Sequence, residues 1–308
     1  MNAAIVRDFA KAAYRKGLHQ LSRFGRDGRN IFEEEWDLLI VIDACRLDLF
    51  REAIDRRPIE PAVGSRWSVD SMTREWMSKT FVEDFAGEQS QTRYVCGNPF
   101  SSEAVDEGRL AALDEVWRHQ WDSEHGTLLP RPLTDRAIDH GRSEDQKTER
   151  VIVHYMQPHW PFLDALELSD GRGWDISGFA DNGDSDYRAW DNNPDDVWER
   201  LRLGEIDRDG AWRAYRENLH RVLDDVAVLL KNYDAERAVI TSDHGNALGE
   251  WGIYGHPMHM PLRCLREVPW AETTAIDERT HEPDPANLKT KEIDEEVGQK
   301  LTRLGYLK

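Results

Sequence analysis

Three short apolar runs recur along the chain, and polar or titratable residues follow each of them. The runs are residues 38–42 (LLIVI), 151–153 (VIV) and 238–240 (AVI). Runs of this kind are typical of strands that are buried on both faces of a parallel sheet. Helical spacing of apolar side chains marks residues 48–55, 110–121 and 212–230. The alternation predicts an α/β fold, with a mostly parallel central sheet flanked by helices on both faces.

The residues just beyond these runs are of types that bind metal ions. Asp43 follows the first run, His159 lies beyond the second, and Asp243 and His244 lie beyond the third. The carboxyl ends of parallel strands share one edge of a sheet, so these side chains are expected to meet there. Any one run fits a buried strand with a polar turn, but the three together favour a site. Gly245 would let the backbone turn sharply beside it.

At these segments the chain resembles the alkaline phosphatase superfamily, and within it the sulfatase-like branch found in halophilic archaea. The resemblance rests on VIDACR at 41–46, PHWP at 158–161, SDHG at 242–245 with Gly249 and Glu250 after it, and GHP at 255–257. It implies a hydrolase or transferase that acts on a sulfate or phosphate ester. It also implies that a metal ion is held by Asp43, Asp243 and His244, and that the anionic ester is bound by His159, His256 and Arg46.

The family's nucleophile is a Ser, a Thr or a modified Cys at the start of the helix that follows the first Asp. The Cys-x-Pro-Ser-Arg stretch that carries formylglycine in sulfatases does not occur in this sequence, so a formylglycine sulfatase is not expected. The equivalent region, residues 65–81, predicts a helix that begins near Thr73 or Ser71. Either hydroxyl could attack the ester, or it could only cap the helix. Thr73 is favoured over Ser71.

The sequence predicts one divalent metal ion. Two-metal members of the superfamily carry an Asp with a His four positions later, upstream of the Asp-His pair, and no such spacing precedes Asp243. One imidazole and two carboxylates suit Mn, Mg or Zn, and Ca if further oxygen ligands join, so the identity of the ion stays open. His259 is either a further ligand or leaving-group acid, or a solvent-facing loop residue, which is the commoner case.

The net charge of the chain limits the kinds of molecule that it is expected to bind. The chain carries 59 acidic and 40 basic residues, and its net charge of −19 disfavours nucleic acid as the partner. Few of the basic residues are Lys, which suits a protein kept soluble in very high salt, although an ordinary acidic cytosolic protein also fits. The three cysteines predict reduced thiols. The chain has no apolar run of about 18 residues and no secretory signal, so it is expected to be cytoplasmic.

Three segments are expected along the chain. Residues 1–30 predict a basic amphipathic helix, residues 31–270 the catalytic domain, and residues 271–308 a polar tail with a docking helix at 293–304. The first helix would face either an anionic membrane surface, near a glycan- or lipid-linked substrate, or the acidic body of the protein. Packing on the body is favoured. The polar stretch 181–197 predicts a surface insertion.

A second class of function stays open beside the enzyme. A non-catalytic sulfatase-like protein could keep the fold and bind an anionic glycan or lipid head group. The open choice of nucleophile keeps this alternative in place, because a family member without a nucleophile would only bind its ligand.

Overall fold

The computed structural model describes residues 27–55, 59, 61–143, 148–169, 173 and 196–290. The predicted helices at 1–30 and 293–304 and most of the insertion at 181–197 lie outside these residues. None of the helices within the described ranges is long and apolar enough to span a membrane.

A seven-stranded sheet forms the centre of the molecule. Its order is β2-β11-β8-β1-β7-β3-β4, and two short ribbons, β5-β6 and β9-β10, lie apart from it. The strands are β1 Leu38–Ile42, β2 Ala62–Trp67, β3 Thr92–Cys96, β4 Ala112–Glu115, β5 Trp121–Asp122, β6 Thr127–Leu128, β7 Arg150–Tyr155, β8 Ala235–Thr241, β9 Ala247–Leu248, β10 Tyr254–Gly255 and β11 Glu267–Ala275.

Most neighbours in the sheet run parallel. β1 pairs in parallel with β7 and β8, and β3 does so with β7 and β4. Only β11 departs from this direction among the seven strands, since it is antiparallel to both β8 and β2. All five residues of β1 are buried, as expected for a central strand covered on both faces. The predicted α/β fold with a mostly parallel central sheet flanked by helices is confirmed.

Helices connect and cover the strands. They are α1 Leu47–Ile54, α2 Thr73–Thr80, α3 Ala86–Gln89, α4 Ser101–Ala104, α5 Trp117–Gln120, α6 Pro130–Arg142, α7 Val197–Leu203, α8 Arg208–Leu230 and α9 Arg263–Arg266. The longest, α8, leads into β8 and contains the helix predicted at 212–230. The Asp207 carboxylate caps its first turn by accepting from the Gly210 N–H at 2.8 Å.

The helix predicted at 110–121 is wrong. Ala112–Glu115 form strand β4, which pairs in parallel with β3, and only Trp117–Gln120 is helical. Leu113 and Trp117 stand one helical turn apart in sequence and gave the segment its helical spacing. The open edge of β3 offers the backbone of residues 112–115 hydrogen-bond partners, and this tertiary pairing overrides the local pattern.

The chain after the sheet stays attached to the body as far as it is described. β11 runs to Ala275, so the expected boundary at residue 270 falls inside a strand. Beyond it, His281 Nε2 lies 2.6 Å from Oδ1 of the buried Asp135 on α6, and Arg142 pairs with Asp277 at 2.7 Å. These contacts hold the polar segment 276–290 against α6.

Candidate active site

Two strand ends bring together the three predicted metal ligands. Asp43 follows β1 directly, and Asp243 and His244 follow the neighbouring β8. One ligand atom from each lies within 4.8 Å of the other two, and all three side chains are fully buried. The order of the strands produces this convergence, because adjacent parallel strands end side by side.

The cluster has the chemistry of a cation site. Burial, and then the charge of Asp243, raise the pKa of Asp43 well above its usual value. Within the described part of the chain, Oδ2 of Asp243 is buried and has no hydrogen-bond partner. Two facing carboxylates with an unsatisfied oxygen and an imidazole nitrogen fit a divalent ion, which would neutralise both charges. That these three residues bind a metal remains a prediction.

The imidazole of His244 faces the cluster through Nε2. Its Nδ1 lies 2.9 Å from the carbonyl oxygen of Gly245, which can only accept, so Nδ1 carries the hydrogen. Nε2 therefore presents a lone pair, 3.4 Å from Oδ2 of Asp243 and 3.9 Å from Oδ1 of Asp43. This is the tautomer that a metal ligand needs.

The Thr73 hydroxyl points at the same cluster. Its Oγ1 lies 3.0 Å from Nε2 of His244 and 3.4 and 3.5 Å from the two carboxylate oxygens of Asp43. Thr73 is the first residue of α2, and the N-cap is Met72, so neither of the two predicted cap residues occupies that position. The Met72 side chain makes no capping hydrogen bond, and the Thr73 hydroxyl is turned towards the Asp43 carboxylate.

The Ser71 hydroxyl is engaged elsewhere. It donates to the carbonyl oxygen of Pro257 at 2.7 Å and accepts from the N–H of Met260 at 2.9 Å. Both partners belong to the loop that follows β10. Of the two candidate nucleophiles, the structure therefore brings only Thr73 into contact with the metal-ligand cluster.

His159 and His256 form a buried pair beside the cluster. Their Nε2 atoms lie 2.9 Å apart, and the rings of His256 and His244 are 4.6 Å apart between centroids. Burial lowers the pKa of His159 to about 4 and that of His256 well below its usual value. Nδ1 of His159 lies 2.6 Å from the carbonyl oxygen of Trp160 and so carries the hydrogen, which leaves Nε2 of His159 to accept from Nε2 of His256. Burial disfavours the charged form of both imidazoles.

Arg46 makes a different set of contacts from the one its predicted role requires. Its guanidinium is buried, pairs with Asp48 at 2.6 Å and Glu250 at 2.7 Å, and stacks over Trp212. It also donates to the carbonyl oxygen of Asn246. These bonds tie the turn after β1 to the loop after β8. Binding of the ester by Arg46 stays a prediction that the contacts of the described residues do not support.

Two further residues contact Asp43 or face it, and sequence reasoning did not assign either of them a role. The Asn98 amide, just after β3, donates to Oδ2 of Asp43 at 2.7 Å. His154, on β7, is fully buried, and its Nε2 lies 3.9 Å from the same oxygen with no hydrogen-bond partner among the described residues. The signal for His154 was a titratable residue inside an apolar strand. Asn98 could have been found only as a polar residue at another strand end.

Comparisons with known proteins return phosphoethanolamine transferases and sulfatases, which are members of the alkaline phosphatase superfamily. The soluble domain of lipooligosaccharide phosphoethanolamine transferase A from Neisseria meningitidis is 14% identical over 83% of this chain and 81% of its own, with a TM-score of 0.49. The periplasmic domain of phosphoethanolamine transferase EptC from Campylobacter jejuni is 14% identical over 77% and 78%, with a TM-score of 0.46.

A candidate sulfatase from Bacteroides thetaiotaomicron is 11% identical over 88% of this chain and 71% of its own, with a TM-score of 0.45. No protein-family model and no curated protein sequence matches the chain. That the chain is of the sulfatase-like type found in halophilic archaea stays a prediction.

Proposed function

We propose that the protein is a metal-dependent enzyme that transfers the phosphoryl or sulfuryl group of an ester through the hydroxyl of Thr73. The observation that carries the proposal is the position of Oγ1, which lies 3.0 Å from Nε2 of His244 and within 3.5 Å of both carboxylate oxygens of Asp43. A hydroxyl that served only as a helix cap would contact the backbone of its own first turn.

The metal would be held by Asp43, Asp243 and His244. His154 faces the Asp43 carboxylate from the neighbouring strand β7. A bound divalent ion would supply Lewis acidity, which lowers the pKa of a neighbouring hydroxyl and offsets charge on the ester oxygens. The residues of the chain do the positioning: Asp43 and His244 hold Oγ1 of Thr73 at the edge of the sheet. Nε2 of His159 and Nε2 of His256 would face the other ester oxygens, with the N–H of His256, released from His159, as the donor.

The group transfer would proceed in two displacements. The Thr73 oxygen would form a bond to phosphorus or sulfur while the bond to the leaving oxygen breaks and that oxygen takes the electron pair. The hydroxyl proton of Thr73 would pass, directly or through solvent, to the leaving oxygen. The first N–H groups of a helix have no partner within it, so the start of α2 can receive an ester oxygen. In the second displacement the oxygen of an incoming water or alcohol would bond to phosphorus or sulfur, and the bond to the Thr73 oxygen would break. That oxygen would take the electron pair and regain a proton from the incoming group; water completes hydrolysis and an alcohol completes a transferase reaction.

The test is an assay of the purified protein, in high and low salt, against aryl phosphate, aryl phosphodiester and aryl sulfate. Each ester is offered without metal and with Mn, Mg, Zn or Ca. A phosphodiester of ethanolamine is included because the similar proteins include phosphoethanolamine transferases. We expect metal-dependent turnover, and mass spectrometry of quenched samples should find the transferred group on the peptide that contains Thr73.

Binding of the same esters without turnover, under every metal, would favour the non-catalytic alternative. A cytoplasmic location and contact of residues 1–30 with an anionic membrane surface remain predictions. Cofractionation of the native protein with membranes, compared with a variant that lacks residues 1–26, would test both.

A further inference from the structure

Two buried residues just before α2, Asp70 and Ser71, make hydrogen bonds to the loop that follows β10. Oδ1 of Asp70 accepts from the N–H of Ser71 at 2.7 Å and from the N–H of His259 at 2.9 Å. Oδ2 accepts from Nδ1 of His259 at 2.8 Å and pairs with Lys79 at 2.5 Å. The Ser71 hydroxyl bridges Pro257 and Met260 of the same loop. Asp70 and Ser71 are both fully buried.

These hydrogen bonds connect two parts of the candidate site. Thr73 lies two residues after Ser71, and His256 lies one residue before Pro257. Ser71 therefore connects the turn that carries the Thr73 hydroxyl to the loop that carries the His256 imidazole. That imidazole in turn meets His159 at 2.9 Å.

The loop also contains a backbone conformation that needs support. His259 has a φ of 57°, in the left-handed region that side chains other than Gly enter at a cost of about 1–3 kcal/mol. Both its N–H and its ring are bound by the Asp70 carboxylate, which over-determines this conformation. Burial alone would raise the pKa of Asp70, but the hydrogen bonds from Lys79, His259 and Ser71 hold it well below its usual value, so the carboxylate is ionised.

We propose that Asp70 and Ser71 are positioning residues, which hold the 257–260 loop so that His256 keeps its place relative to Thr73 and His159. This assignment rests on the proposed function for its effect on catalysis, but the geometry that it fixes exists without substrate. It gives Ser71 a purpose other than nucleophilic attack. It also gives His259 one, as a loop residue whose ring is bound to Asp70.

The first test uses Ser71→Ala, which removes both bonds from the hydroxyl to the loop, and Ser71→Thr, which keeps a hydroxyl. Displacement of a catalytic group by about 1 Å can lower the rate by about a hundredfold, so we expect kcat to fall to that extent in Ser71→Ala and to recover in Ser71→Thr. Metal affinity should not change, because Asp43, Asp243 and His244 are untouched. A merely structural role would lower the melting temperature and leave kcat of the folded protein unaltered.

A double-mutant cycle sharpens this test. If Ser71 acts by placing His256, then His256→Ala should cost much less in the Ser71→Ala background than in the wild type. Full additivity of the two effects would overturn the proposal. Should Ser71→Ala not fold, Asp70→Asn takes its place in the cycle, because its amide oxygen can still accept the two backbone bonds. Ser78→Ala, which removes an exposed hydroxyl of the same helix that donates to the Arg74 carbonyl oxygen at 3.0 Å, is the control with unchanged kcat.

One readout does not depend on activity. In the wild type, the imidazole NMR signals of His159 and His256 should show the hydrogen bond between them, and Ser71→Ala should shift or broaden both. Unchanged imidazole signals in Ser71→Ala would contradict the positioning role even if no substrate were turned over. Absence of turnover in the wild type, with the expected change in these signals, would instead contradict only the proposed enzyme function.

Discussion

The side-chain amide of Asn98 donates a hydrogen bond of 2.7 Å to Oδ2 of Asp43. Its own oxygen accepts from the N–H of Phe100 at 3.0 Å, so the amide is fixed at the end of β3. The bond to Oδ2 sets the rotation of the carboxylate and leaves Oδ1 on the side of His244. A residue at the end of β3, two strands away from β1 in the sheet, thus orients a predicted metal ligand.

Replacement of Asn98 by Ala should therefore weaken metal binding. Loss of a group that orients a metal ligand typically lowers affinity by about 10- to 100-fold, and we expect a decrease in this range in a calorimetric titration with Zn or Mn. Asn232→Ala is the matched control, since Asn232 is equally buried but bonds to Val228 and Thr280, away from the site. Equal metal affinity in wild type and Asn98→Ala would contradict the orienting role.

Thr73 allows a direct test of the nucleophile. Thr73→Ala removes Oγ1 and should lower kcat by at least about a thousandfold, as removal of a nucleophile does in other enzymes. Thr73→Ser keeps the oxygen and should retain measurable turnover. The loss of one buried hydrogen bond should cost only about 0.5–1.5 kcal/mol of unfolding free energy, so both variants should fold. Wild-type kcat in Thr73→Ala would exclude this hydroxyl as the nucleophile.

The sequence predicted the parts of the site that lie at strand ends. Asp43, Asp243 and His244 each follow an apolar run, and in a parallel sheet such ends must meet, so their proximity could be reasoned without coordinates. The choice between Thr73 and Ser71 could not. The two residues differ in which way each hydroxyl points, and that direction is set by the turn at Met72 and by the loop at residues 257–260, about 185 positions later.

Other features escaped prediction because they depend on partners distant in sequence. Edge strand β4 has helical spacing and becomes a strand only because β3 lies beside it. Arg46 belongs to the segment that carries the family resemblance, yet its guanidinium is bound by Asp48 and Glu250. The sequence motif around an arginine does not show which carboxylates will form ion pairs with its guanidinium in the folded protein. The same holds for Asn98, whose amide has a role only beside Asp43.

Asp43 should make the stability of the metal-free protein depend on pH. Burial beside Asp243 raises its pKa above the unfolded value of 3.8. A carboxyl with a raised folded-state pKa stabilises the fold below its unfolded pKa, and that contribution is lost as the pH rises through the folded value. In the presence of a chelator, the free energy of unfolding of the wild type should therefore fall relative to that of Asp43→Asn as the pH rises from about 4 to 7.

Comparing the wild type with Asp43→Asn isolates the contribution of Asp43 to the pH dependence of stability. Burial lowers the pKa values of His154 and His159 to about 4, so these imidazoles act in the opposite direction and favour the fold as the pH rises towards their unfolded value. They are present in both proteins and drop out of the difference. Added metal should remove the penalty in the wild type and have little effect on Asp43→Asn. Parallel stability curves for the two metal-free proteins would show that Asp43 does not carry the raised pKa.

Gly245 is required for a reason other than the sharp turn that its position after His244 suggested. It does not have a positive φ, but a Cβ at this residue would lie 2.3 Å from the carbonyl oxygen of Cys264. Its N–H donates to the carbonyl oxygen of Leu265 at 2.9 Å, so the two backbone segments are held in contact. Gly245→Ala should therefore destabilise the protein by about 1–3 kcal/mol, because backbone atoms must move to admit the methyl group.

The same substitution should disturb the position of His244, because the carbonyl oxygen of Gly245 accepts the hydrogen bond from Nδ1 of His244. We expect Gly245→Ala to lower metal affinity as well as the melting temperature, measured by calorimetry and thermal unfolding. Gly87→Ala is the control: Gly87 lies in helix α3, and a Cβ there would meet nothing within 4 Å. Alanine in a helix is favoured over glycine by about 0.5–1 kcal/mol, so this control should be neutral or slightly stabilising, with unchanged metal affinity. If Gly245→Ala behaved like Gly87→Ala in both measurements, the close approach of the two backbones at residues 245 and 264 would not be what fixes His244.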